Sequence, residues 1–330
     1  MTSWMRKTMV VSAGLALVLS GCGNKAEVSQ ADESAGKIKV VTTFYPMYEF
    51  SKQVAGDHAE VVALIPSGVE PHDWEPSAKD MATLKDADVF VYNGIVEGWV
   101  EDALSSAANS DRIVVEASQG ISLMEGTEDE HEHGDNGDHD EEENDAEEEG
   151  HEEEGHGLDP HVWLSPVLAQ KEVAAIQAAL EQADPAHKDD YKKNAEAYIA
   201  KLQELDQEYR DGLKDVKHRE FVTQHAAFGY LAQEYALTQV PISGLSPEQE
   251  PSAGEMAEVV KFAKEHEVKT IFFETLVDPK VAQVVADEIN AKTDVLNPLE
   301  GLTEDDIKNN LDYIGIMKQN LQNLIKALNE

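Results

Sequence analysis

Residues 186–216 read AHKDDYKKNAEAYIAKLQELDQEYRDGLKDV. Apolar side chains return every three or four positions, at Tyr191, Ala195, Tyr198, Leu202, Leu205, Tyr209 and Leu213. That spacing lays one unbroken stripe along a helix. At 1.5 Å per residue the pattern predicts a rod of roughly 45 Å. Asp184-Pro185 sets it off from the segment before, since proline lacks the N–H that would continue a helix. Short β-branched runs alternate with amphipathic segments on both sides of the rod. It therefore reads as a linking helix between two α/β lobes.

On the N-terminal side the strands are expected at 38–44 (IKVVTTF), 60–65, 88–93 (DVFVYN) and 112–116, with helices at 48–55, 77–85 and 98–108. Ser77, with Asp80 three residues on, is a predicted N-cap. Ser165-Pro166 opens a further helix to Ala183, proline taking the first helical position. On the C-terminal side strands are expected at 220–223, 237–242, 270–274 and 294–296. Helices are expected at 226–235, 253–266 and 279–290, with a single closing helix over 303–328. Ser252 with Glu255 and Thr303 with Asp306 have capping-box spacing. Alternation with short links predicts α/β architecture: two Rossmann-like lobes with mostly parallel sheets, helices on their faces and a cleft between them.

Residues 1–22 read MTSWMRKTMVVSAGLALVLSGC. Arg6 and Lys7, then a short apolar run, then small residues make an export signal too short to span a membrane as a mature helix. Leu19-Ser20-Gly21-Cys22 resembles a bacterial lipobox. The resemblance implies cleavage before Cys22, lipidation there, and anchoring to the outer face of the cytoplasmic membrane. Cys22 is the one cysteine of the chain, which leaves no intrachain disulfide and no thiolate metal site. Residues 23–36 are small and polar, as a tether should be. The expected organisation is a signal over 1–22, the tether over 23–36, an N-terminal lobe over 37–183, the linking helix over 184–217 and a C-terminal lobe over 218–330.

The charge is −40, from 66 acidic against 26 basic residues. Such an excess opposes nucleic acid and anionic lipid and favours cations. Its densest part is an insertion over 125–157, expected to be disordered, which holds His131, His133, His139, His151 and His156 among carboxylates without a Lys or Arg. These histidines are accessory candidates for collecting metal weakly beside a cleft. They are not expected in a tight site, because ordering so charged a segment costs entropy.

A tight site for a borderline metal such as zinc needs about four nitrogen or oxygen donors. Ligands in open α/β sheets gather at the carboxyl ends of strands. Three histidines meet that condition: His72 between Pro71 and Trp74, His161 between Pro160 and Trp163, and His225 just after the strand ending at Thr223. A carboxylate from the second lobe is the natural fourth donor. Glu300 follows the last strand, with Gly301 permitting a sharp turn; Glu274, which also ends a strand, and water are the alternatives. Asp73, Glu75 and Asp159 are candidates to orient the imidazoles, and Trp74 and Trp163 to wall the site. His58, His187, His218 and His266 read as structural or exposed.

The motifs GVEPHDWEP (68–76), DPHVWLSP (159–166), TQHAAFGYLA (223–232) and VLNPLEGLT (295–303), with the lipobox and the His/acid insertion, resemble the zinc-binding receptors of bacterial ABC importers. The resemblance spans residues 37–330. It implies His72, His161, His225 and Glu300 as ligands, Zn(II) as the transported ligand, a two-lobed fold with a rigid linking helix, and a monomer that delivers metal to an ABC permease and its ATPase. In manganese- and iron-binding relatives the third position is typically a carboxylate. An imidazole there suits zinc better than manganese. Other readings are a receptor for manganese or another divalent metal, or a surface adhesin of the same fold. A surface zinc hydrolase is disfavoured because the chain lacks HExxH.

Overall fold

The structure, a computed structural model, describes residues 36–126 and 157–330. The expected signal, Cys22, the tether up to residue 35 and the five insertion histidines lie outside the described residues.

The first lobe alternates β1 (Ile38–Thr42), α1 (Tyr45–Ala55), β2 (Ala59–Ala63), α2 (Ala78–Lys85), β3 (Val89–Tyr92), α3 (Val100–Ser106) and β4 (Ile113–Glu116). The strands form a parallel sheet in the order β2-β1-β3-β4. The second lobe repeats this plan with β5 (Glu220–Thr223), α6 (Gly229–Glu234), β6 (Thr238–Pro241), α7 (Ala253–Glu265), β7 (Thr270–Phe273), α8 (Lys280–Ile289) and β8 (Lys292–Val295). Its parallel order is β6-β5-β7-β8. In both sheets the first strand lies inside, flanked by the second and third.

Between the lobes run α4 (Pro166–Ala183) and α5 (Lys188–Leu213). The 26 residues of α5 make a rod of about 39 Å, entered through a one-turn 3-10 helix at Pro185–His187. All seven apolar positions of its stripe are buried. They belong to one continuous core that also takes Val40 and Phe50 from the first lobe, Phe221, Phe272 and Leu296 from the second, and Tyr313 and Met317 from the last helix. The rod is thus both linker and spine. Each sheet also has an outer core, around Val41 and Phe90 in one lobe and Val222 and Ile271 in the other. With both faces covered, the strands read as apolar runs rather than alternating ones.

Several elements differ from their sequence-based bounds. α1 starts at Tyr45 and takes Pro46 into its first turn, where proline's missing N–H costs nothing; the sequence reading placed Pro46 before the helix. The single closing helix expected over 303–328 is two, α9 (Glu304–Lys308) and α10 (Tyr313–Ala327). Asn310 adopts a left-handed φ of 53°, which ends the first. Asp312 starts the second by accepting from the Gly315 N–H at 2.8 Å. The predicted caps at Ser77, Ser252 and Thr303 all form capping boxes.

The insertion leaves and re-enters the lobe at one neck. Glu125 and Leu158 form an antiparallel bridge, Asp159 N–H donates to Met124 O at 2.8 Å, and Gly126 N–H to Gly157 O. Leu245 of the second lobe presses on this neck, leaving no room for a side chain at Gly126.

Candidate metal centre

Three loops at strand ends and one turn before a helix, two from each lobe, converge in the cleft. The loop after β2 carries His72. The turn preceding α4 carries His161, directly before a one-turn 3-10 helix (Val162–Leu164). His225 follows β5 and Glu300 follows β8. One oxygen, Glu300 Oε1, lies 3.2 Å from His72 Nε2, 3.5 Å from His161 Nε2 and 3.3 Å from His225 Nε2. His161 and His225 bring their Nε2 atoms to 3.4 Å. Four donors in a tetrahedron with zinc-like bonds of 2.0–2.1 Å stand about 3.3–3.4 Å apart. The four contacts given above, at 3.2–3.5 Å, match that spacing. Among the described residues it is the one group of three or more His, Cys, Asp or Glu side chains whose donor atoms all lie within 4.8 Å.

Two of the imidazoles are aimed by carboxylates behind them. His161 Nδ1 stands 2.8 Å from Asp159 Oδ1, which also accepts the His161 backbone N–H. His225 Nδ1 stands 2.5 Å from Glu274 Oε1. A carboxylate at Nδ1 fixes the proton there and leaves the Nε2 lone pair for metal. Glu274, the sequence alternative for fourth ligand, is therefore the orienting partner of His225. Of the three suggested orienting acids only Asp159 serves; Asp73 and Glu75 are exposed. Gly229 makes room for Asp159, because a Cβ there would meet Asp159 Oδ2 at 2.7 Å. The Tyr230 hydroxyl donates to Asp159 O at 2.6 Å.

Glu300 is held by a local network. Leu299 takes a left-handed φ of 60°, unusual for a branched residue and sustained only by its surroundings. Its N–H donates to Asn297 Oδ1 at 2.8 Å, and Asn320 bonds both the N–H and the carbonyl of Asn297. The sequence reading gave the sharp turn to Gly301; the positive φ falls one residue before Glu300 instead. Gly301 serves close approach, since a Cβ there would meet Leu276 at 3.1 Å and the Val69 carbonyl at 3.5 Å. Trp163 walls the site as expected: its ring lies 5.1 Å from that of His161, and its indole N–H donates to Pro298 O at 2.8 Å. Trp74 does not; it packs edge-on against Trp99.

Burial opposes charge throughout, yet neighbours override it at three of the four groups. For His225, Glu274 and then Glu300 outweigh burial and raise its pKa well above the usual value. For His161 the Asp159 hydrogen bond, then Glu300, does the same. Glu300 is held well below the carboxylate range, against burial, by the charge of His225 and by hydrogen bonds from the imidazoles. At His72 burial wins, and the pKa falls. Glu70, which the sequence reading passed over, adds a further acid. Both its oxygens accept the His72 N–H, at 3.1 and 3.0 Å. Burial, then the charge of Glu300, pushes its pKa up to about 7.

The profile of the ZnuA family, zinc-uptake complex component A, periplasmic, matches residues 40–327. The chain belongs to this family. A ZnuA relative from Bacillus subtilis (strain 168), named high-affinity zinc uptake system protein ZnuA, is 53% identical over 321 residues, covering 97% of each chain. The crystal structure of Zn(II)-bound AdcA from Streptococcus pneumoniae is 44% identical with a TM-score of 0.73; the match covers 89% of this chain but 58% of that longer one. The laminin-binding protein Lmb of Streptococcus agalactiae, described as bifunctional with adhesin and metal-transporting activity, is 38% identical with a TM-score of 0.74, over 88% of this chain and 99% of that one. The two-lobed fold described above is thus shared with a Zn(II)-bound protein and with one described as metal-transporting.

Proposed function

We propose that this chain is an extracytoplasmic receptor that captures Zn(II) with His72, His161, His225 and Glu300 and delivers it to an ABC permease driven by its ATPase. The observation that carries this reading is the donor set: three imidazole Nε2 atoms and one carboxylate oxygen at 3.2–3.5 Å contacts. Zinc is the cargo, so the protein needs a closed four-coordinate shell and no open position for water. A hydrolase would need that open position, which Glu300 takes. Three imidazoles favour zinc over manganese, which prefers oxygen.

The same reading makes Cys22 the lipidated residue that tethers a monomeric receptor to the outer face of the cytoplasmic membrane. It takes 1–22 as signal, 23–36 as tether, 37–183 and 218–330 as lobes and 184–217 as linking helix. His131, His133, His139, His151 and His156 serve as weak accessory donors beside the cleft. Likeness to Lmb favours one second reading, an adhesive role of the exposed receptor.

Calorimetric zinc titration of the soluble chain from Gly23 tests the proposal. The chain would be compared intact, with residues 127–156 removed, and as His225→Ala. One tight site that survives the deletion and is lost in His225→Ala is expected. Tight binding that disappears with the insertion and ignores His225 would overturn it.

A further inference from the structure

Glu70 stands against the ligand shell without joining it. Its Oε1 lies 3.9 Å from His72 Nε2, the same nitrogen that contacts Glu300 at 3.2 Å. It is outside the group of four whose donor atoms all lie within 4.8 Å. The two residues also form the exposed edge of the site. Glu70 and His72 side chains are 11% and 10% exposed, against 0% for His161 and His225 and 1% for Glu300. The innermost donors belong to the turns after β5 and β8 and to the turn before α4, so a cation arriving from solvent meets the Glu70–His72 edge first. A separate depression of about 220 Å³ reaches Glu300 past Tyr45, Tyr48, Pro66 and Leu302, but it offers no carboxylate besides Glu300 itself.

We propose that Glu70 is a transit ligand: with His72 it takes the incoming divalent cation at the mouth of the cleft, then yields it to Glu300 as His161 and His225 close the shell, and it re-engages as the cation leaves. This deepens the receptor reading and rests on it. The geometry suits a handover. One His72 nitrogen can hold the ion throughout, while the oxygen opposite it changes from Glu70 to Glu300. Each step replaces one ligand, so the bare ion never crosses an apolar gap. Glu70 is kept in place by its bonds to the His72 N–H.

Stopped-flow mixing of the metal-free chain with zinc, and of the zinc-loaded chain with a chelator, tests this. Glu70→Gln retains an acceptor for the His72 N–H and loses the charge. A transit ligand lowers the barrier in both directions, so capture and release should both slow, by about three- to tenfold, while one zinc per chain still binds. Glu70→Asp draws the oxygen back by one methylene and should slow both rates as well, with thermal unfolding confirming that each variant is folded. Glu75→Gln removes an exposed charge from the same loop and should change neither rate. Capture slowed with release unchanged would make Glu70 only a source of field, and unchanged rates would leave it a structural cap; either overturns the proposal. A wild-type chain that binds no zinc would instead bring down the receptor reading itself.

Discussion

Glu300 and His225 illustrate how a buried site can be both stable when empty and ready for a cation. In the metal-free protein His225 holds a proton to unusually high pH and Glu300 stays ionised to unusually low pH. The raised histidine contributes stability that is complete below its unfolded value and is lost as pH rises through its folded one. The lowered carboxylate contributes stability present above its unfolded value and lost as pH falls through its folded one. The empty site is therefore most stable between those limits, in mildly acidic solution. With His225 and His161 as the proposed ligands, zinc would displace imidazole protons, so its affinity should rise with pH through the neutral range, beyond where a free imidazole near 6.5 would have levelled off. Glu274→Gln removes the largest charge holding that proton. It should move the midpoint of the affinity–pH curve to lower pH and lower the limiting affinity by about 10- to 100-fold. Competition titrations from pH 5.5 to 9 measure both; coincident curves would contradict the role given to Glu274. The three histidines were legible because proline, tryptophan or a strand end marks each one. Glu274 as partner of His225 was not, since the pair is 49 residues apart in sequence and only folding brings them together. Glu70 was hidden differently, as one more acid in an acidic chain.

At the scale of elements, what burial enforces is what sequence reveals. The stripe of α5 was readable residue by residue, because every third or fourth position must enter the shared core. Strand alternation gave all eight strands, with ends at most two residues out, since termini answer to local hydrogen bonds rather than to periodicity. The break between α9 and α10 was missed because the apolar pattern runs on across it while Asn310 turns the backbone. The signals were present in the asparagine, tolerant of left-handed φ, and in Asp312 two residues later. If Asp312 is the true start of α10, Asp312→Ala should cost about 1 kcal/mol of unfolding free energy, read from denaturant midpoints at constant slope. A loss near zero would mean that the break is held by packing alone. Because α10 also carries Asn320, which clamps Asn297 behind Glu300, the position of this break reaches the metal site.

For the whole molecule, the question is how far the lobes can part. Their boundary is buried and hydrogen-bonded across. Trp163 of the first lobe donates to Pro298 of the second, and the Tyr313 hydroxyl donates to Trp163 O at 2.5 Å. Phe50 packs on Tyr313 with ring centroids 5.0 Å apart, and α5 runs the length of this seam. Exposing Trp163 and Tyr313 alone would cost several kcal/mol. A widely opened state is thus a rarely populated one. Small-angle scattering of the metal-free and zinc-loaded chain should give superimposable curves, with change confined to the cleft loops. A large rise in radius of gyration on removing zinc would refute this. The two-lobed plan was legible from alternation around the rod; the single core uniting the lobes was not, because one apolar pattern serves a separate and a shared core alike. One last consequence belongs to the neck at Glu125 and Leu158, where the chain departs and returns through a single antiparallel bridge. Such a clasp insulates the domain from whatever it encloses. By the entropy of loop closure, doubling the enclosed length costs only about 0.6 kcal/mol. Lineages can therefore lengthen, shorten or rewrite that segment with little penalty to the body, and a fluorescent domain spliced there would sit beside the cleft as a built-in reporter.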